Sequence, residues 1–286
     1  MKSVRFFIVS LLVLAPEIAT ADDAYAVRRS PVKEANGVVT YFLSNEFVDG
    51  ECRVQVLRPK KPTNRILYLL PVTPWPGFEE KWKRLGSGMA EIVKHDFHNR
   101  FGYTVVVPDF PEHMPWFVDH ATDSGRQHET FMMNILLPFL DQELGLENPV
   151  RDLAGFSKGG FGSLSLLLRY PNVFHAASAW DPGGLLKPYR PDAVGSLSDS
   201  VGSETQFEQF RLKTSIQQNA AQFRGRKRIA ISGYSNDAFL ERLRALRDLL
   251  DGEEFTYHYS ESVRVPHRWY TGWLEQALVS LERMRD

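Results

Sequence analysis

The chain has little of what marks several large classes of protein. It holds one cysteine in 286 residues, so it can form no internal disulfide, and no metal site can be built on paired thiolates. That residue, Cys52, lies in an alternating strand pattern and reads as a packed thiol, not a nucleophile. Lysine and arginine number 34 against 35 aspartates and glutamates, a formal net charge of -1. Such a balance gives no global case for a nucleic-acid partner or an anionic membrane surface. There is no apolar run long enough to be a transmembrane helix, no internal repeat and no low-complexity tract. His113, Asp119, His120, Asp123 and His128 crowd one loop, but they lack the H-E-x-x-H spacing and make no metal site.

What is present is an ordinary globular composition, 43% apolar and 24% charged, enough for a sizeable core. The N-terminus has the layout of an export signal. Lys2 and Arg5 are basic, Phe6 to Ala15 is apolar, and Ala19-Thr20-Ala21 is a small-residue cleavage site. A second such site is Ala24-Tyr25-Ala26, and no cysteine follows to carry a lipid. The expectation is a signal peptide over residues 1–21 and an exported protein, periplasmic or secreted, with no membrane anchor. Residues 22–286 then form a single domain, with 185–225 as an excursion, a lid or cap, over one edge.

Strand and helix signals alternate through that domain. Val38–Leu43 and Cys52–Leu57 flank Asp49-Gly50 and read as an antiparallel pair. Ile66–Leu70, Tyr103–Val107, Val150–Ala154, His175–Trp180, Arg228–Ser232 and Phe255–Tyr259 read as strands, several of them apolar throughout, as expected when both faces are covered. Helical periodicity appears between them: around Phe131–Leu140 with Pro138 marking a kink or a late start, at Asp237–Leu250, and at Trp269–Met284. The pattern implies an α/β fold, a mostly parallel central sheet with helices on both faces. Ligands bind such sheets beyond the carboxyl ends of the strands.

One stretch organises the rest. Val150–Ala154 leads into Gly155-Phe156-Ser157-Lys158-Gly159, and an amphipathic run continues to Tyr170-Pro171. That is G-x-S-x-G on a turn from strand to helix, where the serine hydroxyl stands exposed and the next amide points at the same place. A serine hydroxyl needs a base, and the base needs an orienting acid. His267 lies after the last strand and Asp237 after the penultimate one, giving the chain order Ser157, Asp237, His267. Asp181, after the preceding strand, is the reserve acid. Asp237 also reads as a capping residue of the helix it opens.

Gly155-Phe-Ser-Lys-Gly-Gly160, Tyr170-Pro-Asn-Val-Phe174, Gly233 to Asp237 and His267-Arg-Trp269 resemble the putative-esterase family of α/β-hydrolases. That family includes feruloyl and acetylxylan esterases, S-formylglutathione hydrolases, enterochelin esterases and mycolyltransferases. The resemblance spans roughly residues 50–285 and is weakest over 185–225. It implies an acyl-enzyme on Ser157, with His267 as base and Asp237 as orienting acid, and no cofactor. The family usually carries His-Gly where this chain has Pro71-Val72-Thr73-Pro74. Proline has no amide, so the oxyanion donors expected are the amides of Lys158 and of Val72 or Thr73. Trp75, Trp116, Trp180 and Trp269 fall on or beside the same loops, as an aromatic rim for substrate. The expected partner is a small-molecule or carbohydrate ester. An acyltransferase on the same triad, and a non-catalytic carbohydrate-binding protein that kept the fold, are the alternative readings.

Overall fold

The computed structural model describes residues 25–27, 29–72, 85–111, 116–184, 188–261 and 264–285. Its strands are β1 (Tyr25–Val27), β2 (Val32–Lys33), β3 (Val39–Asn45), β4 (Cys52–Leu57), β5 (Arg65–Leu70), β6 (Thr104–Asp109), β7 (Val150–Phe156), β8 (Ala176–Trp180), β9 (Ile229–Ser232) and β10 (His258–Ser260). All join one sheet in the order β1-β3-β4-β6-β5-β7-β8-β9-β10, with β2 beside β3. From β6 to β10 the pairing is parallel; β1 to β4 extend it antiparallel. The β3–β4 hairpin is the one read from the sequence.

The helices are α1 (Gly88–Lys94), α2 (Phe97–Arg100), α3 (His128–Phe131), α4 (Leu137–Leu144), α5 (Ser157–Arg169), α6 (Leu197–Val201), α7 (Glu204–Phe210), α8 (Leu212–Phe223), α9 (Asp237–Gly252) and α10 (Trp273–Arg283). They cover both faces. Side chains alternate along β5, so Ile66, Tyr68 and Leu70 join one core with Phe161, Leu164 and Ile216, while Leu67 and Leu69 join another with Trp269, Trp273 and Leu278. Both faces are therefore dry, which is why β5 reads as an unbroken apolar run. Cys52 is buried in the first core, and burial pushes its thiol up to about 12, as suits a packed side chain.

Sheet order reverses at β5. The chain passes from β5 out to β6, then returns to place β7 on the other side of β5. The carboxyl ends of β5 and β7 therefore flank a switch point, where an open α/β sheet leaves a crevice for ligand. Leu70 pairs with Gly155 at that edge.

Several elements differ from the sequence expectation. Pro138 has no N–H to give, and of the kink or late start it suggests the chain takes the second: a π turn over Met132–Leu136 follows α3, and α4 starts only at Leu137. The last strand is His258–Ser260, because Phe255 is instead bridged to Arg224 and stacked on Phe223 at 5.3 Å. The last helix starts at Trp273, since Gly272 precedes it at φ 85. The 185–225 excursion divides in two. Pro188, Arg190, Ala193 to Ser198 and Phe207 line the cavity at the sheet edge, whereas α8 buries Leu212, Ile216, Ala220 and Phe223 as a core helix against α5.

Candidate active site

Ser157 sits where β7 gives way to α5, with φ 54, a left-handed conformation that costs a residue with a Cβ roughly 1–2 kcal/mol. Close packing leaves the turn no slack. A Cβ on Gly155 would lie 2.4 Å from the Gly159 carbonyl carbon, and one on Gly159 would lie 2.1 Å from the Leu70 oxygen. Both glycines of the pentapeptide are thus steric requirements of the elbow. The serine itself is half-buried and opens onto a cavity of about 320 Å³.

His267 meets the elbow through Phe156, whose ring stands edge-on to the imidazole at 4.8 Å. Its Nδ1 lies 3.0 Å from Asp181 Oδ2, and that carboxylate is fully buried. With Nδ1 donating to Asp181, Nε2 is the nitrogen left to take a proton. The ring is also clamped between two faces, Phe239 at 4.4 Å and Trp180 at 5.7 Å, and Trp180 stacks in turn on Trp273 at 5.3 Å. This stack and the carboxylate together fix the imidazole in one orientation.

The acid that the structure sets against His267 is not the one expected from the sequence. Asp237 is the exposed first residue of α9, and the side chain that caps this helix is that of Asn236, accepting from the Phe239 amide. Asp181 directly follows Trp180 at the end of β8, with φ 41. Its amide donates to the Ser232 carbonyl at 2.9 Å. Gly233, at φ 139, makes room beside it, since a Cβ there would lie 2.1 Å from Asp181 Oδ1. Beyond Asp181 the chain turns back to the elbow, where the Gly183 amide donates to the Ser157 carbonyl at 2.8 Å.

The aromatic rim is corrected too. Trp116, itself 6% exposed, lines the cavity beside Ser157, whereas Trp180 and Trp269, at 3% and 4%, pack under the site. Trp269 stands edge-on to Phe156 at 4.8 Å, so these two rings pack around Phe156 and His267 and line no part of the cavity in front of Ser157. Trp75 and Thr73 lie outside the described residues. Val72 is buried at the end of β5, next to the Leu70–Pro71 backbone that packs on Gly159. Within the crowded loop, His120 Nδ1 accepts from the Thr122 and Asp123 amides, and Asp119 accepts from Thr130; these are turn and cap interactions. His113 lies outside the described residues.

Lys158 is 6% exposed, its ammonium 5.5 Å from the centroid of the Trp116 ring. Burial lowers its pKa to about 7, against a smaller opposing pull from Asp199. An unfolded lysine titrates near 10.4. The cost of the buried charge is therefore fully present below about pH 7 and fades as pH rises toward that unfolded value. Lys158→Met is expected to stabilise the protein more at pH 6.5 than at pH 10, by an upper bound on the order of 4 kcal/mol. Urea unfolding at the two pH values checks this; an equal gain at both would contradict it.

A family model described as putative esterase matches residues 105–246. No curated protein sequence matches the chain. Among solved structures, a ferulic acid esterase superposes with TM-score 0.64 at 18% identity, over 87% of this chain and 97% of that one. An S-formylglutathione hydrolase from Agrobacterium tumefaciens does so at 0.62 and 17%, covering 88% and 98%. A fluorophosphonate-binding serine hydrolase of Staphylococcus aureus gives 0.64 and 13%, covering 87% and 98%. At these identities the likeness is one of fold.

Proposed function

We propose that this chain, which belongs to the putative-esterase family of α/β-hydrolases and is a carboxylic ester hydrolase, works through Ser157, His267 and Asp181. The observation that carries the reading is His267 Nδ1 held 3.0 Å from a buried Asp181, with the imidazole edge-on to Phe156, the residue before a serine in the left-handed elbow conformation.

Ser157 Oγ attacks the ester carbonyl carbon while its proton passes to His267 Nε2. Asp181 holds the imidazole and offsets the positive charge it gains. The tetrahedral oxyanion is met by the Lys158 amide at the start of α5 and by a second amide from Val72 or Thr73, beyond β5. The bond to the leaving alcohol then breaks, and His267 returns its proton to that oxygen. Water repeats the sequence on the acyl-serine, releasing the acid and restoring Ser157. These groups need no cofactor. A carbohydrate-linked ester would bring its sugar to the cavity wall that Trp116 helps to form. The basic, apolar and Ala-x-Ala pattern of residues 1–21 supports export, and with it an ester met outside the cytoplasm.

Labelling with a fluorophosphonate tests the assignment. The mature wild-type protein is expected to take the label at Ser157, and Ser157→Ala is expected to lose it while unfolding at a similar temperature. A folded wild type that takes no label, or a mutant that still takes it, would overturn the reading.

A further inference from the structure

The loop between β9 and α9, where the sequence suggested an acid, delivers an aromatic ring to the histidine instead. Asn236 caps α9 by accepting from the Phe239 amide at 3.2 Å, which fixes Phe239 in the first turn. Its ring lies over the imidazole of His267, with centroids 4.4 Å apart and planes 21° from parallel. The Trp180 ring lies near-parallel to the same imidazole, at 5.7 Å and 22°, and is backed by Trp273 at 5.3 Å and 7°. Phe156 meets the imidazole at 72°. Among the described residues, then, Phe239 and Trp180 are the rings stacked on His267, and of the two only Phe239 also lines the cavity in front of Ser157.

The face of an aromatic ring is negative and attracts a cation held within about 6 Å of its centroid. A neutral imidazole gains little from such a face, and an imidazolium gains much more. His267 changes from one to the other twice in each turnover. In the first half-reaction Nε2 takes the Ser157 proton as Oγ bonds to the ester carbon, and gives it to the leaving alcohol oxygen. In the second it takes a proton of water as the water oxygen bonds to the acyl carbon, and returns it to Oγ. A contact that strengthens only when that charge appears lowers the barrier without tightening substrate binding. Asp181 meets the charge in the plane of the ring, at Nδ1. The faces of the ring lie outside the reach of any hydrogen bond, and there only a π system can act. We propose that Phe239 is a positioning residue whose π face stabilises the imidazolium formed on His267, with Trp180 as the second such face. The inference rests on Ser157 and His267 being nucleophile and base. The Arg242 guanidinium also lies 5.0 Å from the Phe239 centroid, but its charge is constant through the cycle and cannot supply the difference.

Ring fluorination tests the charge at nearly constant shape, since each fluorine draws density from the face. Phe239 is replaced by phenylalanines carrying one, two and five ring fluorines, and kcat and KM for 4-nitrophenyl acetate are measured on the pH plateau of each variant. Because both half-reactions pass through the imidazolium, kcat is expected to fall stepwise, by about tenfold with five fluorines, while KM stays within about twofold. Phe239→Leu is expected to lose at least as much, and Phe239→Tyr, which keeps a π face, to recover most of that loss. A flat fluorine series would overturn the proposal even if Phe239→Leu is slow, because a ring that only fills space predicts that pattern. A change confined to KM would overturn it too, by making Phe239 a substrate contact alone. In either case a wild type that takes the fluorophosphonate label at Ser157 and turns over the ester leaves the nucleophile assignment standing. A folded wild type that neither labels nor turns over any ester sinks that assignment, and the role of Phe239 with it.

Discussion

Asp181→Asn is expected to lower kcat by about three to four orders of magnitude, while Asp237→Asn leaves it within about twofold. The first substitution keeps the shape of the side chain, so the buried space between Gly233 and His267 stays filled. It replaces an acceptor facing Nδ1 with an amide that presents either an acceptor or a donor. Where the amide NH2 faces the ring, the imidazole proton moves to Nε2, and the lone pair that should take the serine proton is gone. Where the carbonyl faces the ring, the tautomer survives, but the charge that offsets the imidazolium does not. Asp237 has neither role: it is exposed on the first turn of α9, and Asn236 supplies the cap. Its loss removes a favourable charge near a helix N-terminus, worth about 0.3–1 kcal/mol of stability. Rates of ester hydrolysis at saturating substrate, with fluorophosphonate labelling rates beside them, separate the two. A large loss at Asp237 and a small one at Asp181 would reverse the assignment of the acid.

The sequence favoured Asp237 where the structure sets Asp181 against His267, because the strands end at different distances from the two candidates. Both Asp181 and Asp237 lie after a strand on the same side of the sheet, β8 and β9. Asp181 directly follows Trp180, so its Cα is fixed by the last pairing of β8 with β9, Trp180 to Ser232. Asp237 comes after β9 only beyond Gly233 to Asn236, far enough to have entered a helix. The legible signal was Asp181-Pro-Gly-Gly184 at a strand end, an acid leading into residues that turn the chain sharply back to the elbow. The same distinction explains the tryptophans. Trp180 reads as a loop-edge residue, yet as the last residue of β8 it has a defined face, and that face lies under His267. Closeness to a carboxyl-end loop is visible in sequence; which side of the sheet the side chain takes is set by register.

The parallel core was legible for a different reason. β5, β6 and β7 are buried on both faces, so their apolar runs carry the signal without help from any partner. Elements fixed by long-range contacts were less so. His258–Ser260 is only half-buried and pairs at the sheet edge, and its place depends on Phe255 being captured by Phe223. The cavity in front of Ser157 draws its lining from distant parts of the chain, from Trp116 to Arg242, of which only Ser157 and Lys158 sit in the G-x-S-x-G motif.

Gly159→Ala is expected to destabilise the protein by about 3–5 kcal/mol and to abolish activity with it. A methyl there would lie 2.1 Å from the Leu70 carbonyl oxygen and 3.0 Å from its carbon. These are backbone atoms at the end of a central strand, where Leu70 pairs with Gly155 of β7, and cannot step aside as a side-chain tip would. Relief requires α5 to move away from β5. That movement shifts Ser157 and the Lys158 amide away from the loop beyond Leu70, the two sides of the oxyanion site. Gly252→Ala is the matched control: nothing lies within 4 Å of the added methyl at the end of α9, and alanine is the better helix former. It is expected to be neutral or to stabilise by up to about 1 kcal/mol. Thermal and urea midpoints of the two variants decide the matter, with the soluble fraction as the readout if Gly159→Ala fails to fold. A Gly159→Ala protein that melts with the wild type and keeps its esterase activity would mean that the strand-to-helix turn is looser than these contacts allow, and the elbow would lose its claim to place the nucleophile.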